Sequence, residues 1–167
     1  MPDGWEGALS EMTIVERPAK AEAAAADLRA RGLADWTGDN VVELLEYGSK
    51  RAPEHIMMSC WNMGHVESAA MWELYCRDAN GVALRSTVGR LEDQLPDLVE
   101  DSAITVRPVV YRDYGKEAIS ESNIFHPFTS KRQSFAHERE LRAMFFSREP
   151  HVGVEVSIDL TSVIEAV

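Results

Sequence analysis

Lys131-Arg132-Gln133-Ser134-Phe135-Ala136-His137-Glu138-Arg139-Glu140-Leu141-Arg142-Ala143-Met144-Phe145-Phe146 is the stretch whose reading decides the fold. Its first part continues a helical pattern that begins at Phe128 and runs to Ala136. Its second part, Glu138 to Phe146, alternates and then becomes wholly apolar, the mark of a strand that runs into a core. Side chains alternate in direction along an extended segment. Glu138, Glu140 and Arg142 therefore share one face, and Arg139, Leu141 and Ala143 the other. Two carboxylates and a guanidinium in a row are costly to bury unpaired, so they need water, mutual partners or a ligand. The competing interpretation is a solvated strand face, or a helix in which Glu138 and Arg142 pair four residues apart. The run Ala143-Met144-Phe145-Phe146 favours entry into the core.

Working outward, Ala103 to Tyr111 is β-branched and aromatic enough for a second strand. His55 to Trp61 is a short apolar run that reads as a third, Val82 to Thr87 alternates as a fourth, and 152–158 makes a fifth. Between them lie helical patterns. Val15 to Arg31 is alanine-rich, with Pro18 suited to a first turn and Gly32 to a stop, and reads as a weakly anchored surface helix. Residues 39–51 place Val41, Leu44 and Leu45 on one face behind Asp39 or Asn40 as cap. Residues 66–77 set Ala69, Met71, Trp72, Tyr75 and Cys76 at helical spacings. A charged helix spans Val88 to Leu95, and Asp159 caps a last one. Asp78-Ala79-Asn80-Gly81 reads as a turn and 112–124 as a polar loop. Short connections between alternating helices and strands give an α+β fold, a single mixed, largely antiparallel sheet with packed helices.

Bulk properties narrow the function. A chain of 167 residues, 45% hydrophobic and 27% charged, suits a single domain over 1–167 that can bury its own core. The segment 1–12 reads as the remnant of a longer N-terminal region. No apolar run reaches the ~18–20 residues of a membrane span, and the start lacks the pattern of a secretory signal, so the expected location is cytoplasmic. Net charge of −11 argues against non-specific nucleic-acid binding. Lys131, Arg132, Arg139 and Arg142 are the exception, basic charge gathered within twelve positions. Cys60 and Cys76 lack the number for a disulfide framework and the spacing for a metal-binding pair. His65, His126 and His137 lack paired-ligand spacing, so no metal is assigned.

Two further groups carry chemistry. Trp61, Trp72 and Tyr75 with Cys60 can wall a pocket for a planar ligand, against the alternative that aromatics at helical spacing are simply core. Arg85, in an apolar segment, is either a clamp for phosphate or carboxylate or the outward residue of an alternating strand.

Five motifs in order resemble a bacterial family catalogued as domain of unknown function 2971. They are Cys60-Trp61-Asn62, Met71-Trp72-Glu73-Leu74-Tyr75, Gly81-Val82, Val109-Val110-Tyr111, and Lys131 through Glu138, Glu140 and Arg142. The turn Asp3-Gly4-Trp5-Glu6-Gly7 is similar to the family's opening turn, with Gly4 where proline is usual. The resemblance implies a version shortened at both ends, and it brings no established activity. A looser similarity of pattern, an aromatic strand followed by a late Glu-x-Glu strand, is to ADP-ribosyltransferases. There a glutamate stabilises the positive charge that develops on the ribose of NAD.

These observations give an enzyme-like domain holding a nucleotide or other small anionic ligand at the Glu138/Glu140/Arg142 strand. Glu138 and Glu140 are its catalytic carboxylates, and Trp72, Tyr75, Arg85, Lys131 and Arg142 its binding residues. ADP-ribosyl transfer from NAD is the most concrete version. The alternatives are a non-catalytic module that docks a protein partner, in a defence or stress system, and a metal-dependent nuclease using the two glutamates.

Overall fold

The computed structural model describes residues 7–76, 81–99, 102–150 and 152–167. In chain order its elements are α1 (Glu11–Ala30), α2 (Gly38–His55), β1 (Ile56–Asn62), α3 (Ala69–Tyr75), α4 (Val88–Gln94), β2 (Leu98–Val99), β3 (Ser102–Ala103), β4 (Thr105–Pro108), β5 (Val110–Arg112), β6 (Ser130–Arg132), β7 (Glu140–Phe146) and α5 (Leu160–Val163). Two 3-10 turns, Pro127–Thr129 and Gln133–Glu138, flank β6. The fold is α+β. Its strands form a three-stranded sheet in the order β1-β7-β4, an antiparallel β2–β3 pair and a parallel β5–β6 pair. The described residues divide into two compact units. One is the chain up to Ile56 with Val109–His137, and the other is Met57–Pro108 with Glu138–Val167.

The first unit is built on the α1–α2 hairpin. Thr13, Arg17, Ala21 and Ala25 recur every four residues and form the buried stripe of α1, as the helical repeat requires. Because two of the four are alanine, α2 can pack closely through Val41, with Leu28, Trp36, Val42 and Leu45 around them. The helix is thus anchored by small residues rather than by Leu28 alone. It also starts earlier than its composition indicates: Ser10 caps it, and Pro18 lies inside on the exposed side. The two polar members of the stripe hold the 113–122 loop. Thr13 Oγ1 accepts from the Ile119 N–H at 2.6 Å and donates to the Ile119 carbonyl at 3.1 Å. Arg17 meets Glu121 through Nε at 3.1 Å and Nη2 at 2.7 Å. Gly7 sits at φ 75°, and a Cβ there would come within 2.7 Å of the Phe128 ring, so both conformation and space demand glycine. For α2 the cap is Thr37, in a reciprocal box with Asn40, and Leu44 faces solvent instead of the core.

In the second unit β7 is the central strand and is buried from Glu140 to Phe145. It pairs antiparallel with β4, matching Arg107 to Arg142 and Val106 to Ala143. Leu91 of α4 and Val163 of α5 add to the apolar interior.

Several expected elements differ. The Ala103–Tyr111 strand is three pieces, because β3 pairs with β2, β4 with β7 and β5 with β6. Pro108, which cannot donate to a ladder, closes β4. Phe128–Ala136 is not a helix, since β6 runs alongside β5 and the Tyr114 hydroxyl donates to the Ser130 carbonyl at 2.9 Å. Val82–Thr87 is irregular except for one bridge, Arg85 to Ala166, and the described part of 152–158 holds no strand. The turn proposed at Asp78-Ala79-Asn80 lies outside the described residues.

Candidate functional site

A concave pocket of about 200 Å³ in the second unit is lined by Cys60, Trp61, Asn62, Met71, Tyr75, Glu138 and Glu140. Three stretches far apart in sequence supply these residues. The end of β1 gives three consecutive positions, and there the Trp61 indole N–H donates to the Ser59 hydroxyl at 3.1 Å. Met71 and Tyr75 are one helical turn apart on α3, so they fall on the same side. The Ser68 side chain caps that helix through the Met71 N–H. Tyr75 is 67% exposed and forms the outer wall.

Glu138 and Glu140 form the acidic part of the lining. Arg139 between them has φ 43°, a left-handed conformation that costs a non-glycine residue on the order of 1–3 kcal/mol and persists only where neighbours enforce it. The end of β1 supplies that enforcement. The Asn62 side-chain amide donates to the Glu138 carbonyl, and the Met63 N–H donates to the Arg139 carbonyl at 2.7 Å. The turn that presents both carboxylates is therefore tied to the strand that presents Cys60 and Trp61.

Both carboxylates are buried, Glu138 at 8% exposure and Glu140 at 6%, and Arg142 is at 0%. The solvated-face interpretation fails on that burial. The helical version fails as well, because the ion pair joins residues two apart on a strand. Arg142 donates from Nε to Glu140 Oε1 and from Nη2 to Oε2, each at 3.0 Å. Its two-pronged geometry matches the carboxylate and fixes its orientation.

The other residues singled out from sequence have settings of their own. Trp72 is half-buried on α3 and does not line the pocket, whereas Trp61 does. Arg85 is exposed in its bridge to Ala166 and pairs with Glu165 at 3.2 Å. Lys131 belongs to the first unit, on β6, with its ammonium 5.2 Å from the Phe135 ring centroid. Met71 and Asn62 are the members that sequence reasoning passed over; the one-turn spacing of Met71 from Tyr75 was the available signal.

Among the described residues no three His, Cys, Asp or Glu side chains gather into a group fit for a metal ion. No described helix is long and apolar enough to cross a membrane. No family model, curated protein or solved structure matches the chain.

Proposed function

We propose that the pocket bounded by Glu138, Glu140, Trp61 and Tyr75 is a small-ligand site of an enzyme-like domain. The observation that carries this is the burial of two carboxylates side by side at the edge of an aromatic-walled cavity, with the turn between them held in a strained conformation. Buried acids and local strain both cost stability, and a site that selects for ligand binding is the common reason for retaining them. At about 200 Å³ the pocket is smaller than the ~300–1,000 Å³ that encloses a drug-sized molecule. It suits one ring-and-sugar fragment rather than a whole dinucleotide.

ADP-ribosyl transfer remains the most concrete reaction for such a site. In that chemistry nicotinamide leaves with the electron pair of the broken glycosidic bond, and an acceptor nucleophile takes its place on the ribosyl carbon and loses a proton. Glu138 and Glu140 would accept hydrogen bonds from ribose hydroxyls and stabilise positive charge as it develops. Trp61 and Tyr75 would hold the ring, and Arg142 would keep Glu140 aimed from behind. Support for NAD in particular comes from the sequence pattern of an aromatic strand followed by a late Glu-x-Glu strand.

A thermal-stability panel of NAD, ATP, GTP, nicotinamide and divalent metals tests the proposal, run on the wild type and Glu138→Gln. Stabilisation by NAD that weakens in the variant supports it and calls for an ADP-ribosylation assay. No stabilisation by any nucleotide or base counts against it.

A specific observation favours a second role, docking of a protein partner. Leu74, Val82, Leu84 and Val88 of the second unit are all exposed, which is the raw material of an apolar contact surface.

A further inference from the structure

We infer, resting on the reading of this pocket as a ligand site, that Asn62 is its positioning residue: it holds Glu138 in place beside Glu140 by fixing the backbone at Arg139. The φ torsion of Arg139, at 43°, lies on the chain between the two acids, so rotation about it swings Glu138 relative to Glu140. Two consecutive residues, Asn62 at the end of β1 and Met63 after it, control that torsion. The Asn62 side-chain amide donates to the Glu138 carbonyl, and the Met63 N–H donates to the Arg139 carbonyl. Those carbonyls belong to the two planar peptide groups that flank the Cα of Arg139, so the pair of bonds sets both of its torsions. The hold does not run through the Arg139 side chain, which is exposed and has no hydrogen bond or ion pair among the described residues.

Of the two donors only that of Asn62 comes from a side chain, and its surroundings leave room for it. A Cβ added at Gly64 would lie 2.8 Å from Asn62 Oδ1 and 3.1 Å from the Val66 carbonyl oxygen, so a side chain there would push the amide from its place. Asn62 also lines the pocket, which gives a competing explanation for any effect of changing it, direct contact with the ligand. The conformation at 139 separates the two. A left-handed φ is unfavourable for arginine and worse for a β-branched residue, whereas glycine takes it about as readily as the ordinary one. With arginine at 139 the turn depends on its hold from Asn62, and with glycine it depends on it less. Loss of a ligand contact would cost the same in both backgrounds.

The test is a double-mutant cycle of Asn62→Ala and Arg139→Gly, with NAD as the probe. Affinities are measured by titration calorimetry, with the location of binding read from nuclear magnetic resonance shifts at the Trp61 indole and the Met71 methyl. Arg139→Gly alone should bind NAD as tightly as the wild type, since the guanidinium is not part of the hold. Asn62→Ala should weaken binding about threefold or more in the wild type, and distinctly less with glycine at 139. Gly64→Ala, which leaves the lining residues unchanged, should weaken binding in the same way as Asn62→Ala. So should Arg139→Val, whose side chain resists the left-handed φ. Equal losses from Asn62→Ala in both backgrounds, or a loss in Arg139→Gly as large as in Arg139→Val, would overturn the positioning role while the pocket stands as a site. If NAD moves neither signal in the wild type, the site itself falls and the positioning role falls with it.

Discussion

Arg142 lies wholly buried in the central strand and grips Glu140, two residues earlier, through two hydrogen bonds of 3.0 Å. Across the strand pair its partner is Arg107, a second guanidinium. Like charges opposite one another destabilise a sheet, so the Glu140 carboxylate offsets this repulsion as well as filling the acidic side of the pocket. Removing the carboxylate and removing the guanidinium should therefore have different costs from removing both.

Arg142→Met removes both of these hydrogen bonds from the buried Glu140 and should cost about 3–5 kcal/mol. Adding Glu140→Leu to it should recover most of that loss, because a packed apolar pair of similar volume is often as stable as a buried ion pair. Urea denaturation of the two single variants and the double, analysed as a cycle, measures the coupling. Additive costs would mean that the two side chains do not act as a pair.

In the first unit Arg17 and Glu121 have side-chain exposures of 8% and 17%, so their ion pair is mostly shielded from water. Glu121→Ala should lower stability by about 3 kcal/mol, well beyond the ~0–1 kcal/mol of an exposed pair. Lys20 and Glu16, an exposed pair on the same helix, provide the internal control, and Glu16→Ala should change little. Chemical denaturation of both variants makes the comparison.

Thr13→Val keeps shape but removes the hydroxyl that serves both the N–H and the carbonyl of Ile119. Leaving those buried groups unsatisfied should cost roughly 1–3 kcal/mol. Amide exchange at Ile119 should accelerate more than exchange elsewhere in the unit. Unchanged exchange there would show that the hydroxyl does not hold the loop.

Asp159 caps α5, and its carboxyl is held below the ordinary range first by a hydrogen bond from the Thr161 hydroxyl, then by one from the Ser162 hydroxyl. A carboxyl whose folded pKa is depressed contributes stability that is present above its unfolded pKa. That contribution is lost as pH falls through the folded value. The stability advantage of the wild type over Asp159→Ala should accordingly be constant near neutrality and shrink on acidification below the ordinary carboxylate range. Melting curves of both proteins from pH 7 to pH 2 test the sign; an advantage that grows in acid would contradict it.

The parts of this molecule that sequence disclosed are those where one periodicity runs uninterrupted. The apolar tail of Glu140–Phe146 announced a buried strand, and Asp159 stands where a cap belongs. Alanine at four-residue spacing hid the packing of α1, because a small residue in a close helix contact looks like a small residue in solvent. The Ala103–Tyr111 segment was misread as one strand because propensity does not say with which partner each piece will pair. Burial of the Glu138–Arg142 cluster was foreseeable, but the closing of Arg142 onto Glu140 was not. That closure depends on the strand geometry, which residue order alone does not give. Trp61 rather than Trp72 reached the pocket for a similar reason. Met71 and Tyr75 set the inward side of α3, and Trp72 falls a hundred degrees away from Met71.

The most direct test of the account is a resonance titration of the wild type and Glu138→Gln with NAD. The pocket predicts saturable shifts at the Trp61 indole and the Met71 methyl in the wild type, with several-fold weaker binding in the variant. Shifts that bypass these two signals, or that are identical in both proteins, would contradict it.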